Sequence, residues 1–317
     1  MRSICFLLCV IVLQTNIFSQ AQKFEFPKLK SNSVGMEGTQ LMIDQGETSE
    51  SDWLSYVYNS TYLQYQGDAD MKSMIAKVLP DTNMLPEKYR FIFKLFYRWM
   101  GPENDDKSYI NEIFYGSNIA KSLIPSSERS FGLLMKKEEE KNGLVKKCET
   151  FIELPMVGVS FKQVQDYLLW REELASAEKT VTEKKYQLHA RLLRQEEWMK
   201  FSLDFGPHFL ENKTAQIDTI NKEGCYLLNI RVDKPCASVL EGRKKYGEGS
   251  VGVFSYNPDR KGLYNMYGNV AEMLDTEGTA IGGSYNDYGN ICKPDKIISY
   301  TKPQPWLGFR CIFEILK

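Results

Sequence analysis

Three short motifs near the C-terminus constrain this chain more than any other feature: Gly262-Leu-Tyr-Asn-Met-Tyr-Gly-Asn-Val-Ala-Glu-Met273, Ile281-Gly-Gly-Ser-Tyr-Asn-Asp287 and Leu307-Gly-Phe-Arg-Cys311. Glycine and asparagine punctuate them, and the stretch before them, from Gly206 to Lys261, is irregular in the same way. No internal repeat or low-complexity linker interrupts the chain from Met42 onward, which reads as one domain. With 43% apolar and 13% aromatic residues in a chain of 317, there is ample material for a packed core.

The N-terminus reads as a secretory leader over residues 1–21: Arg2, an apolar run from Ile4 to Leu13, and the small residues of Ser19-Gln20-Ala21. That run is too short for a bilayer, which takes about 20 residues, and no later stretch is long and apolar enough. A lipoprotein signal ending at Cys9 is the alternative, but Leu8 stands where a small residue is needed. The expected product is exported, to the periplasm or cell surface, with peripheral membrane association left open. Its charge is balanced, 40 basic against 41 acidic residues, without the basic surplus of a nucleic-acid binder.

Five cysteines remain beyond the leader: Cys148, Cys225, Cys236, Cys292 and Cys311. An odd number leaves at least one thiol unpaired or joined to a partner. Cys225 and Cys236 are near enough in sequence to bridge, yet spacing does not decide the pairing. With His189 and His208 as the only histidines, zinc and non-haem iron sites have almost no ligands to draw on.

Local patterns place a few elements. Phe24 to Ser33 is a first strand or arm. After Trp53, the residues Leu54, Val57 and Tyr58 fall at helical spacing, with Thr48 or Ser49 as the N-cap and acids in the first turn. Pro155 to Ser160 reads as a short apolar strand. Ser160 with Gln163 then makes a capping box, opening a helix that buries Phe161, Val164, Tyr167 and Leu168. Residues 68–150 read as a divergent insertion, with a turn at Val78 to Thr82, an aromatic run from Tyr89 to Met100 and a charge run from Lys136 to Lys147.

In their order and spacing, the three C-terminal motifs resemble the closing motifs of the formylglycine-generating, or sulfatase-modifying-factor, family. Met42 to Trp53 is similar to that family's "IDxxEVTNxxY" and Pro155 to Trp170 to its "PVVxVSWxxAxxYCxW". Ala190 to Trp198 is similar to its "RLPTEAEWE", without the proline and the capping threonine. The resemblance runs from about Met42 to Lys317. It implies an α+β, C-type-lectin-like fold with little regular secondary structure.

The resemblance also implies a site. In the family, two cysteines three and eight residues after the serine of a GGS turn bind copper(I) and oxidise a substrate cysteine with oxygen. Here that serine is Ser284, the first cysteine position holds Asp287 and the second Cys292. Copper(I) takes soft thiolates, and a carboxylate is a poor substitute. Ala271 and Met273 stand at the two tryptophan positions of the family's "GNxWEW". The implied outcome is a degenerate pocket of Ser284, Asp287 and Cys292, with no catalytic residue and no copper.

A structural calcium of the family maps onto Asn265, Gly268, Val270 and Glu272, through an asparagine side chain, two main-chain carbonyls and a glutamate. The residues themselves leave open that Asn265 and Glu272 merely hydrogen-bond the turn. Asn229 and Ile230 resemble part of a second such site. The family disulfide to Cys311 would need a cysteine at Leu168, so Cys311 is expected free or differently bonded. Arg310 is expected in a buried ion pair or hydrogen bonds.

The "GNVAE" and "GGSYND" variants are similar to those of the GldK and GldJ branch of the family, structural components of gliding-motility and type IX secretion machinery. That implies an exported, non-catalytic binding or scaffold protein with envelope or secretion proteins as partners. A competing reading is an enzyme in which Asp287 is a general base and Ser284, Asn286 and Cys292 line a substrate groove. A third is an exported peptide- or glycan-binding protein. Fold alone does not separate them.

Overall fold

A computed structural model describes residues 32–61, 77–85, 154–202, 227–232, 249–256, 258–259 and 261–316. The leader, most of the insertion, Cys148, Cys225, Cys236 and His208 lie outside the described residues. Strands β1 (Ser33–Gly35) and β2 (Leu41–Asp44) come first, followed by helix α1 (Glu50–Thr61). Helices α2 (Phe161–Ser176) and α3 (Lys179–Lys184), strand β3 (Gln187–Arg191) and helix α4 (Gln195–Ser202) make up the middle. The C-terminal part supplies β4 (Ala271–Met273), β5 (Thr279–Ile281), β6 (Ile298–Ser299), β7 (Leu307–Gly308) and β8 (Ile312–Leu316). Helix and sheet are thus mixed, and much of the described chain is irregular.

Two four-stranded sheets result, in the orders β1-β2-β8-β3 and β6-β5-β4-β7. The first is antiparallel throughout, with Phe313 of β8 opposite both Met42 of β2 and Ala190 of β3. Side chains alternate across a strand, and the apolar residues of this sheet divide accordingly. Met42, Leu188, Ala190, Phe313 and Ile315 join one buried cluster, whereas Leu41, Ile43 and Ile312 join a second. The sheet therefore stands between two cores. In the other sheet β4 pairs antiparallel with β5 and parallel with β7.

Helix α2 starts where the capping box predicts: the Ser160 hydroxyl accepts the Gln163 N–H, and the Gln163 side chain accepts the Ser160 N–H at 2.9 Å. Such a cap contributes about 1 kcal/mol. Val164, Tyr167 and Leu168 are buried, while Phe161 is only partly buried at the edge of the same core. Tyr167 stacks on Trp53 of α1 with ring centroids 5.5 Å apart and meets Phe309 edge-on at 5.3 Å. Ser49, not Thr48, caps α1; its hydroxyl accepts the Asp52 N–H, and its own N–H donates to the Asp52 carboxylate. At α4 the cap is half built. Glu197 accepts the Arg194 N–H at 2.9 Å, but the Arg194 side chain offers no acceptor in return.

The strand expected from Pro155 to Ser160 is instead an isolated bridge between Pro155 and Ser49, followed by buried irregular chain. Pro155 has no N–H to donate to a ladder. Gly158 adopts φ +77°, and a Cβ there would lie 2.7 Å from the Asp81 carbonyl, so the chain bends where a strand would continue. The turn expected at Val78 to Thr82 is present, with the Asp81 side chain accepting the Asn83 N–H.

Arg171 of α2 fastens the helix to the first sheet. Its Nη2 bonds both oxygens of Asp44, at 3.1 and 2.8 Å, and its guanidinium lies over the Phe313 ring. Leu168 and Cys311 are both fully buried, and Cys311 is a free thiol. Among the described residues, no helix is long and apolar enough to cross a membrane.

Candidate functional site

The second motif folds into a tight turn that brings Ser284, Asp287 and Cys292 together. Gly282 and Gly283 enter it at φ +91° and +71°, and a Cβ on Gly283 would lie 2.4 Å from the Cys292 sulfur. Only glycine allows that approach. The turn closes through the Asp287 N–H on the Ser284 carbonyl at 3.0 Å. It is locked by the Asp287 side chain, whose Oδ2 accepts the Ser284 N–H at 2.9 Å and the Ser284 hydroxyl at 2.6 Å. The Ser284 Oγ in turn accepts the Asn286 N–H. Cys292 Sγ sits beneath, 4.0 Å from the Ser284 carbonyl and 3.9 Å from that of Asp287.

Ser284 and Cys292 are fully buried. Burial, aided by the charge of Asp287, pushes the Cys292 thiol up to about 12, so at neutral pH it carries its proton. A protonated thiol and a hard carboxylate already engaged as a double acceptor are a donor set that does not fit copper(I). Ala271 and Met273 are buried in β4, inside the first core cluster.

Behind this turn lies a buried polar centre. Arg310, fully buried, spends its Nε and Nη2 on Glu272 Oε1 at 3.0 and 2.6 Å. Its remaining N–H groups reach the carbonyls of Asp44, Gln45 and Tyr264, at 3.0, 2.6 and 2.7 Å. Glu272 Oε2 accepts the Trp198 indole N–H at 3.2 Å. The expected ion pair of Arg310 is thus present, and Trp198, which the motifs did not mark as functional, completes it.

A second buried acid, Glu47, joins the loops. Its two oxygens accept from the side-chain amides of Asn269 and Asn265, at 2.8 and 3.1 Å. Those asparagines also donate to the carbonyls of Val251 and Val253, and Asn229 donates to Asn269 Oδ1. Burial pushes the Glu47 carboxyl up to about 8, against the pull of Arg310. Glu47 and Asn269 escaped the reading of the sequence. The signal was an acid inside the segment similar to "IDxxEVTNxxY", followed by a buried run of hydroxyl residues, Thr48, Ser49 and Ser51.

The structure places Asn265, Gly268, Val270 and Glu272 on one buried turn and the strand it enters, with the two side chains of the set already engaged within the protein. Glu272 is taken by Arg310 and Trp198, and Asn265 turns its amide nitrogen, not its oxygen, to Glu47. Gly268, at φ +79°, packs against the Asn229 carbonyl, and Val270 packs against Gly308. As placed, these residues do not fit calcium. Among the described residues, no group of three or more His, Cys, Asp or Glu side chains is arranged to hold a metal ion.

A family model described as the sulfatase-modifying factor enzyme 1-like domain matches residues 35–315. Among solved structures, PvdO from Pseudomonas aeruginosa is 14% identical, with 51% of this chain and 63% of PvdO covered and a TM-score of 0.31. Treponema denticola variable protein 1 is 13% identical, over 52% of this chain and 73% of that one, with a TM-score of 0.32. CarF is 19% identical, over 51% of this chain and 67% of that one, with a TM-score of 0.33. The match spans less than two thirds of PvdO. A comparison with curated proteins finds no match.

Proposed function

We propose, from the premise that this chain belongs to the sulfatase-modifying factor enzyme 1-like family, that it is a member without the copper chemistry, acting as an exported binding or scaffold protein of the cell envelope. The observation that carries the reading is the closed turn: Asp287 holds Ser284 by two hydrogen bonds over the buried Cys292 thiol. A carboxylate used in this way supports the turn and leaves no pair of thiolates for a metal. The leader at residues 1–21 supports export to the periplasm or cell surface. The similarity of "GNVAE" and "GGSYND" to the GldK and GldJ branch supports a place in gliding motility or type IX secretion, with envelope or secretion proteins as partners and peripheral contact with the membrane.

The test has two arms. Cross-linking of the tagged protein in its native envelope, followed by mass spectrometry, is expected to recover defined secretion or gliding components near stoichiometry. The purified protein with copper(I) and oxygen is expected to leave the thiol of a cysteine-containing sulfatase-motif peptide unchanged. Copper-dependent loss of that thiol, or recovery of the protein alone from the envelope, overturns the proposal.

A further inference from the structure

We infer that Arg310 is itself the resident cation of the buried site around Glu272, and that this site takes no calcium. A guanidinium has five N–H donors in a fixed planar fork. All five of Arg310 are used on oxygen: two on Glu272 Oε1, and one each on the carbonyls of Asp44 and Gln45 from Nη1 and of Tyr264 from Nη2. These acceptors come from separate places in the chain, namely the end of β2, the turn containing Asn265, and β4. Gathering a carboxylate and main-chain carbonyls from separate segments is what a hard metal ion does when it stabilises irregular loops. Here a side chain of the domain performs the gathering.

The neighbouring groups agree. The second oxygen of Glu272 faces an N–H donor, Trp198. Asn265 and Asn269 both present amide nitrogens to Glu47, so the adjoining polar centre is bridged by hydrogen bonds from neutral side chains. Gly268 sends its N–H to the Gly282 carbonyl, tying the motif turn to the GGS turn through the backbone. The contacts that join β2, the turn containing Asn265 and β4 are made by groups of the protein itself, with Arg310 as the positive charge at their centre. A guanidinium cannot be removed by a chelator, so this site keeps its positive charge in the absence of calcium.

Thermal melting of the intact protein in calcium chloride and in excess EGTA, with calorimetric titration of calcium, tests the inference. The expected result is the same Tm in both, within about 1 °C, and no saturable heat. A structural ion at a hundredfold its Kd raises Tm by about 5 °C in a domain of this size, and such a rise overturns the inference. Arg310→Ala gives a second readout. Guanidinium at about 10 mM is expected to raise the Tm of the variant and not that of the wild type, since it refills a shell of oxygen acceptors. Rescue by calcium in place of guanidinium overturns the inference as well. If Arg310→Ala does not fold, the comparison of calcium with EGTA on the wild type decides alone.

Discussion

Replacing Asp287 by alanine removes the acceptor of two hydrogen bonds, at 2.9 and 2.6 Å, and leaves the turn the single side-chain bond from the Asn286 N–H to Ser284 Oγ. A hydrogen bond to a charged group is worth about 1.5–3 kcal/mol, and water reaches part of this half-buried position. The expected cost is therefore about 2–3 kcal/mol for the pair, not the full sum. Asp287→Asn keeps one carbonyl acceptor without the charge and is expected to lose about half as much. Urea unfolding followed by tryptophan fluorescence reads this directly. With an m-value of about 3 kcal/mol/M, the alanine variant shifts the midpoint by close to ~1 M at constant m. The order wild type, Asp287→Asn, Asp287→Ala is the signature of a turn lock. A midpoint for Asp287→Ala within about 0.2 M of wild type would refute the assignment, because a carboxylate kept for chemistry or for a ligand is dispensable to the fold.

Two further outcomes follow from the same site. Gly283→Ala forces a Cβ to within 2.4 Å of the Cys292 sulfur at a positive φ and is expected to cost roughly 3 kcal/mol. Adding Cys292→Ala is expected to return about 1 kcal/mol or more in a double-mutant cycle, and strict additivity of the two changes would count against the contact. Glu47 gives a pH dependence. Its carboxyl, raised in the folded state from 4.5 to about 8, keeps a proton that the unfolded chain has lost between those values. Its contribution to stability is full below the ordinary carboxylate value and is lost as pH rises through about 8, at up to about 1.4 kcal/mol per pH unit. Glu47→Gln is expected to flatten the stability profile between pH 5 and 8. An unchanged slope would show that the two amide donors hold the carboxylate ionised.

What the sequence disclosed was mostly local. The Ser160 capping box, the buried face of α2 and the cap of α1 are written within one or two helical turns, and each is found in place, with Ser49 as the α1 cap and Phe161 only partly buried. The strand at Pro155 failed because its apolar run was read without the proline's missing donor and the bend at Gly158. The site was read through a resemblance, as aspartate at a cysteine position, and its geometry was not legible. Nothing in the spacing of Ser284 and Asp287 says that the carboxylate turns back onto the serine. Glu47 was the largest omission: its partners Asn265 and Asn269 are 218 and 222 residues away, and no periodic pattern links residues at that separation.

The position of β8 bears on how this domain comes into being. The last strand of the chain lies in the interior of its sheet, between β2 and β3, and is joined to β2 by pairs such as Met42 with Phe313. Loop closure on that scale must precede any reward from the pairing, so the sheet forms late and slowly. During synthesis, β2 and β3 leave the ribosome well before the strand that separates them. Until residues 312–316 are made, β2 and β3 lack the strand that joins them into one sheet between the two clusters.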